Sequence, residues 1–324
     1  MQNQLLSIES PLQHSIPLSK CISHDVFLKL ENVQPTNSFK IRGMTRMCSK
    51  RREAGYKKFI SFSGGNAGIS LAYVASQMNI PCHIIVPSFV SERITNRMKS
   101  FGAVVETAPD SRQAQLEAIR LADSSPEYSL IHPYDDEDLW DGYSTIIDEI
   151  KKQLNGKIPS CLLLSVGGGG MLLGFMTGLK RHAWEDVPII AVETFGAHCL
   201  NKSIIAGKSV ENVMTSIAKT LGAPSVAPKV LENLPNFRVI SEVQPDSAAI
   251  EACLKFADDH AFCVEPSCGV TLSVIYEGLL PEIMQRNGYE LLPDRPVVVL
   301  VCGGQDASVK ILKDYAEKLN VPIQ

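Results

Sequence analysis

Short apolar runs of strand length alternate with longer runs of helical length along most of the sequence. Strands joined by helices of about ten residues or more form parallel βαβ units. The run 161–166 is apolar almost throughout, as expected for a strand buried on both faces. The predicted strands are 26–30, 58–61, 83–86, 103–106, 129–132, 161–166, 189–192, 238–240 and 297–301. The predicted helices are 39–54, one from about 66, 92–101, 112–122, 139–154, 247–260, 266–286 and 307–319. This alternation predicts an α/β fold, and because it loosens beyond Pro133 we place a lobe boundary in the early 130s.

Charge and composition exclude several classes of function. The 324 residues carry a formal charge of −4, which gives no indication of a nucleic-acid partner. No apolar run reaches the roughly 18 residues of a membrane span. Residues 1–17 resemble neither a secretory signal nor a transit peptide. The nine cysteines form no CxxC pair, which favours a reducing cytoplasm and argues against a zinc site.

One lysine stands in an unusual local setting. Lys40 lies in the stretch 37–43, NSFKIRG, between an aromatic and a β-branched residue where an extended run gives way to a helical one. A lysine in apolar surroundings loses its charge more easily and becomes a nucleophile, commonly for Schiff-base chemistry. The alternative is an ordinary surface lysine at the start of a helix.

Four consecutive glycines, 167–170, follow the apolar strand and precede a helix at Met171. Backbone N–H groups without neighbouring Cβ atoms can surround a phosphate, and the helix N-terminus favours an anion. A tight turn is one alternative. A dinucleotide site is another, because Glu193 ends the following strand where such a site has an acidic residue.

Two further polar segments follow predicted strands. Ser63, Gly64, Gly65 and Asn66 combine a hydroxyl, an amide and open N–H groups, which suits a carboxylate, although Asn66 could also cap the helix that follows. Cys302 ends the last strand, and a single cysteine is more often a small buried apolar residue than a functional one. Together with Lys40 and the glycine run, these groups lie at carboxyl ends of strands and fit pyridoxal phosphate (PLP) better than a nicotinamide cofactor.

Several separated motifs resemble those of the serine/threonine dehydratase family of fold-type II PLP enzymes, which includes animal L-serine dehydratases and serine dehydratase-like proteins. The motifs are FLK at 27–29, SFKIRG at 38–43, VETFGAH at 192–198, VEPSCG at 264–269 and VCGG at 301–304. The resemblance implies two lobes of open, mostly parallel sheet flanked by helices, as in the tryptophan synthase β-subunit. We expect a small domain of residues 39–134 and a discontinuous large domain of residues 1–38 and 135–324.

The resemblance also implies roles for individual residues. Lys40 would form the Schiff base and abstract the substrate proton. The cofactor-binding residues would be Phe39, Lys40, Asn66, Gly167, Gly168, Gly169, Gly170, Met171 and Cys302. The substrate-binding residues would be Ser63, Gly64, Asn66 and Ala67. A monovalent cation, expected to be potassium, would be held by the Glu193 carboxylate and by the backbone carbonyls of Gly167, Ala197, Leu221 and Ala223.

The expected activity is α,β-elimination from L-serine and L-threonine, which gives ammonia with pyruvate or 2-oxobutyrate. The family is usually homodimeric.

Gly64 departs from the family pattern, because serine dehydratases have alanine at this position and serine racemases have serine. Racemisation needs an acid on the face opposite the lysine, and a glycine offers none, although it could also lower dehydratase turnover. The alternatives are a serine racemase, a β-replacement enzyme of the same fold and a weakly active PLP-binding regulatory protein. We see no appended haem or regulatory domain in the 324 residues, which argues against cystathionine synthase and the allosterically regulated threonine deaminases.

Overall fold

The computed structural model describes residues 6–323, and these residues form an α/β protein with two sheets. The strands are β1 Leu12–His14, β2 Val26–Leu30, β3 Lys58–Ser61, β4 Cys82–Pro87, β5 Val104–Ala108, β6 Tyr128–Leu130, β7 Cys161–Ser165, β8 Ile189–Thr194, β9 Val239–Gln244 and β10 Val297–Val301. The helices are α1 Ile16–Ile22, α2 Lys40–Glu53, α3 Asn66–Met78, α4 Glu92–Ser100, α5 Ser111–Asp123, α6 Glu137–Gln153, α7 Gly170–Arg181, α8 Cys199–Ala206, α9 Pro228–Asn233, α10 Asp246–His260, α11 Pro266–Tyr276, α12 Leu280–Arg286 and α13 Val309–Leu319. Within the described part of the chain, no helix has the length and apolar character needed to cross a bilayer. The expected α/β fold with mostly parallel sheets is confirmed.

The larger sheet has six strands in the order β1-β2-β10-β7-β8-β9. The short edge strand β1 runs antiparallel to β2, and the other neighbouring strands run parallel. The central strands β7 and β10 are almost wholly buried, which explains their continuous apolar sequences. Because β10, β7 and β8 are parallel neighbours, the segments that follow them emerge at one edge of the sheet.

The smaller sheet has four strands in the order β5-β4-β3-β6, all parallel. One side of the sheet packs against α5, where Ile60 and Ile85 share a buried apolar cluster with Ala114 and Ala118. The small alanine side chains allow the helix to approach the sheet closely. At the carboxyl edge, β3, β4 and β6 lead into loops that begin near Phe62, Ser88 and Ile131 respectively.

The chain contacts define two compact units. One contains residues 34–143 with the segment that ends at Ile8, and the other contains Glu9–Val33 and the residues from Ser144 onward. The smaller sheet lies in the first unit and the larger sheet in the second. The domain limits expected from the sequence, 39–134 against the remainder, stay a prediction.

Two predicted elements differ from the structure. The single helix predicted over 266–286 is divided into α11 and α12, because Gly278 adopts a positive φ of 68° and ends the first of them. The strand predicted over 129–132 ends at Leu130, so His132 lies in a loop. The edge strand β1 and the helices α1, α8 and α9 were not predicted, since all four are short.

Candidate active site

Lys40 is the first residue of α2 and lies, half-buried, among groups that suit a reactive amine. Its Nζ donates to the carbonyl oxygen of Pro133 at 3.0 Å. The same nitrogen lies 5.1 Å from the ring centroid of Phe39 and 5.9 Å from that of Tyr143. The lysine expected to carry the chemistry is therefore held by a carbonyl dipole and two aromatic rings.

The glycine that ends the lysine motif has a packing function. A Cβ atom built on Gly43 would lie 2.6 Å from ring atoms of Tyr143, so a side chain at position 43 would displace that ring. Tyr143 is fully buried and packs edge-on against Phe39, with ring centroids 5.1 Å apart. The sequence KIRG thus places an aromatic ring beside the lysine.

The segment Ser63 to Ala67 connects β3 to α3 in the same unit. Gly65 occupies the N-cap position of α3, and Asn66 is the first helical residue, so the alternative in which Asn66 caps the helix is wrong. The Gly65 N–H donates to the Ser63 hydroxyl at 3.4 Å, and no side chain caps the helix. An uncapped helix start behind two glycines offers backbone donors of the kind that bind carboxylates.

Space at Gly64 is restricted by a neighbouring loop. A Cβ built on Gly64 would lie 2.3 Å from Cγ2 of Val90 and 3.4 Å from Cδ of Pro87. Val90 therefore fills the volume that a side chain at position 64 would need. Sequence reasoning identified the glycine but missed Val90, because the two residues lie on different loops.

The glycine run in the second unit begins after β7 and leads into α7. Gly169, the N-cap residue, has a φ of 87°, and a Cβ there would lie 2.5 Å from Cγ2 of Val230. Glycine is required at this position both for the backbone conformation and for space. No side chain caps α7, whose first turn contains Gly170 and the buried Met171.

Cys302 follows β10, and Ser165 is the last residue of β7, the parallel neighbour of β10. Its Sγ is 3.7 Å from the Ser165 hydroxyl and 4.0 Å from the carbonyl oxygen of Gly303, to which it donates. A hydrogen bond with the Cys268 side chain, and then burial, raise the pKa of the Cys302 thiol well above its ordinary value. Cys302 is therefore a neutral thiol.

The motif glycine Gly304 lies against a buried carboxylate that sequence analysis left without a role. A Cβ on Gly304 would lie 1.9 Å from Cδ of Glu265, and the Gly304 φ is 133°. Glu265 accepts a hydrogen bond from the Thr220 hydroxyl at 2.5 Å, and Thr220 also hydrogen-bonds Ser267. The VEPSCG motif indicated that this segment belongs to the family pattern, but it did not show that Glu265 contacts Gly304 and Thr220.

The residues expected to hold a cation all belong to the second unit. Glu193 is fully buried, and its carboxylate accepts from the N–H groups of Leu200 at 2.9 Å and Asn201 at 2.8 Å, at the start of α8. Burial raises the pKa of Glu193 to about 7, although these two hydrogen bonds and the charge of Lys202 lower it.

The other expected cation ligands are backbone carbonyl oxygens. The Gly167 carbonyl accepts from the Cys199 thiol at 3.3 Å, and a Cβ on Gly167 would lie 3.1 Å from the backbone of Leu221. The Leu221 carbonyl accepts from the Ala223 N–H at 2.7 Å, and the N–H of Ala197 donates to Thr194 at 2.9 Å. Of the expected ligand set, the structure thus brings Gly167 and Leu221 into contact and places Leu221 and Ala223 in one tight turn.

Comparison with known proteins places the chain in a family. The model of the family described as "Pyridoxal-phosphate dependent enzyme" matches residues 4–303. The chain belongs to the pyridoxal-phosphate dependent enzyme family. It is 38% identical to the L-serine dehydratase/L-threonine deaminase of Mus musculus over 98% of this chain and 97% of that protein. It is 40% identical to the serine dehydratase-like protein of Homo sapiens over 94% of this chain and 93% of that protein.

A solved structure of the same family supports the fold. The fungal L-serine ammonia-lyase from Rhizomucor miehei superposes with a TM-score of 0.90 at 34% identity, covering 97% of this chain and 99% of that one. The expected family resemblance is therefore confirmed.

The residues of this family member fit PLP on structural grounds. Gly169 leaves no space for a side chain where a phosphate cradle is expected, and α7 begins without a side-chain cap. Cys302 is a neutral hydrogen-bonding group, and Lys40 is an amine held at one end of a helix. The chemistry of these groups is that expected of residues that bind a phosphate, a pyridine nitrogen and an aldehyde.

Proposed function

We propose that this protein eliminates water from L-serine and L-threonine with bound PLP, giving ammonia with pyruvate or 2-oxobutyrate. The observation that carries the proposal is the near full-length similarity to proteins named L-serine dehydratase/L-threonine deaminase. The neutral thiol at Cys302 supports it independently, because an acidic partner at the ring nitrogen would favour transamination instead.

In this proposal Lys40 is the attachment residue and the base. Bound PLP supplies an electron sink for the bond that breaks at the substrate Cα. The Lys40 Nζ takes the Cα proton, and the Pro133 carbonyl holds that nitrogen in a fixed direction. Phe39 contributes an apolar surface against the cofactor ring.

Backbone donors would bind the charged groups of substrate and cofactor. Ser63, Gly64, Asn66 and Ala67 would hold the substrate carboxylate, and Asn66 would also hold the cofactor's 3′ oxygen. The run Gly167–Gly170 with Met171 would hold the cofactor phosphate. Both segments precede helices without side-chain caps, so their N–H groups are suited to anions.

We further propose that potassium supports activity, held by Glu193 and the carbonyls of Gly167, Ala197, Leu221 and Ala223. A carboxylate with several carbonyl oxygens is the ligand chemistry of a hard monovalent cation. The proposal extends to a cytoplasmic homodimer. All nine cysteines lie within the described residues and are free, which supports a reducing compartment.

Steady-state product analysis tests the proposed reaction. With L-serine we expect equal amounts of pyruvate and ammonia, and with L-threonine equal amounts of 2-oxobutyrate and ammonia. Addition of sulfide distinguishes β-replacement, which would divert the product to a sulfur amino acid. D-serine as the main product would support racemisation instead, and cofactor binding without turnover would support a regulatory protein.

A further inference from the structure

One peptide group of the loop after β6 contacts Lys40. The Pro133 carbonyl oxygen accepts the hydrogen bond from the Lys40 Nζ. The N–H of Tyr134, which belongs to that same peptide group, donates to Nδ1 of His132 at 3.4 Å. The N–H of Asp135 donates to the same Nδ1 at 2.8 Å, so the imidazole closes a turn around residues 133–135.

The geometry of the peptide connects these two contacts. The peptide is trans, and in a trans peptide the C=O and N–H bonds point in opposite directions. An acceptor that holds the N–H on one side therefore turns the carbonyl to the other side, where Lys40 lies. Hydrogen bonds at both ends of a peptide also polarise and strengthen one another.

We propose that His132 is a positioning residue for Lys40: its Nδ1 fixes the 132–135 turn and thereby directs the Pro133 carbonyl at the lysine nitrogen. The inference rests on the proposed function, in which Lys40 carries the cofactor.

The surroundings of His132 favour this role. Nδ1 accepts only while it is unprotonated, and burial followed by the positive charge of Lys40 lowers the pKa of His132 to about 4. The rings of Phe62 and Tyr134 pack edge-on against the imidazole, with centroids 5.1 and 4.7 Å away, and fix its plane. The Tyr134 carbonyl accepts from the Trp140 indole at 2.9 Å, which anchors the far side of the turn.

Three variants at position 132 separate this role from simple packing. In His132→Asn the amide oxygen takes a position close to that of Nδ1 and can accept the same N–H groups. In His132→Gln the acceptor moves outward by one carbon, and in His132→Leu it is removed. His83→Asn is the matched control, because it replaces the other histidine of this unit, which lies on β4.

The readout is the rate of covalent attachment when apo-protein is mixed with PLP, quenched with borohydride and mapped by peptide mass. In His132→Leu and His132→Gln we expect PLP to label Lys40 roughly tenfold more slowly, because about one hydrogen bond is lost. His132→Asn and His83→Asn should label it at close to the unmodified rate. Thermal unfolding of each variant shows whether it is folded.

The outcomes distinguish this inference from the proposed function. Labelling of a different lysine in the unmodified protein would overturn the proposed function, and the inference with it. Labelling of Lys40 at the unmodified rate in folded His132→Leu would overturn the inference alone. If His132→Leu does not fold, His132→Asn and His132→Gln test the inference. Equal rates of Lys40 labelling in these two variants would overturn the inference, and slower labelling in His132→Gln alone would support it.

Discussion

Two lysines of this chain, Lys29 and Lys40, show how the same side chain is used for structure and for chemistry. Lys29 lies on β2, fully buried, and its Nζ donates to Glu149 at 2.5 Å, Gln153 at 3.0 Å and the Ser10 carbonyl at 2.6 Å. Lys40 is half-buried and is held by the Pro133 carbonyl and by aromatic rings. Both lie in motifs that the sequence shares with one family.

Lys29 and Lys40 differ in which of their contacts persist when the side-chain ammonium group loses its proton. A carboxylate partner stabilises the ammonium form specifically, so its attraction is lost with the charge. A carbonyl oxygen still accepts a hydrogen bond from a neutral amine, and an aromatic ring still packs against it. The contacts described for Lys40 therefore remain when its nitrogen becomes a nucleophile, whereas the ion pair of Lys29 does not.

Removal of Lys40 is expected to have the largest effect on activity. Lys40→Ala should lower turnover of L-serine by roughly 10³-fold or more, because the base is lost together with the attachment point. The free energy of unfolding should change by less than about 2 kcal/mol, since the side chain is only partly buried. Turnover and urea unfolding are measured on the same samples, and near-normal turnover would contradict the assigned role.

The reverse pattern is expected for Lys29. Lys29→Met leaves the Glu149 carboxylate, 14% exposed, without its charged partner and should lower the free energy of unfolding by about 3–5 kcal/mol. The folded fraction should still attach PLP at Lys40 at the normal rate. The double variant Lys29→Met/Glu149→Leu serves as the control and should recover most of the stability. Loss of attachment in folded Lys29→Met would remove the distinction between the two lysines.

The sequence predicted the setting of Lys40 far better than that of Lys29. One part of that setting is local, because Phe39, whose ring centroid lies 5.1 Å from the Lys40 Nζ, is the neighbour of Lys40 in the sequence. The partner of Lys29 is 120 residues away in sequence, so no local pattern indicates it. The contacts of Glu265 with Gly304 and of Val90 with Gly64 were missed for the same reason, since each joins two separate segments.

Helix α11 illustrates a different limit. Apolar residues continue across 266–286, so periodicity alone predicts one helix. The positive φ at Gly278 ends it, and a single glycine in an apolar run does not show whether the helix continues.

Glu193→Gln extends the comparison to a buried carboxylate that accepts two backbone N–H groups. An amide cannot accept both N–H groups of α8 with two oxygens and carries no charge for a cation. We expect the potassium concentration for half-maximal activity to rise at least roughly tenfold, with weaker PLP retention. Activity is measured in potassium and in a large organic cation, and equal activity of the unmodified protein in both would argue against a cation site.

The smallest effect is expected at Gly64. Gly64→Ala places a Cβ 2.3 Å from Val90 and should cost about 1–3 kcal/mol of stability, which Val90→Ala should largely restore. A double-mutant cycle should give a coupling energy of about 0.5–3 kcal/mol, and strict additivity would show that Val90 does not restrict this position.

Product analysis addresses the chemical role of the same position. The unmodified protein should form little D-serine, because Gly64 provides no acid. Gly64→Ser should raise D-serine most in the Val90→Ala background, where the hydroxyl has room. Abundant D-serine from the unmodified protein would contradict this account of Gly64.

Identification of the attachment lysine tests the account most directly. The unmodified protein is loaded with PLP, reduced with borohydride, digested and mapped by mass spectrometry. We expect a single labelled peptide with the cofactor on Lys40, which contacts the Pro133 carbonyl and aromatic rings. We expect no label on Lys29, which is paired with the Glu149 carboxylate. Labelling of Lys29 or of any other lysine, with Lys40 unmodified, would contradict it.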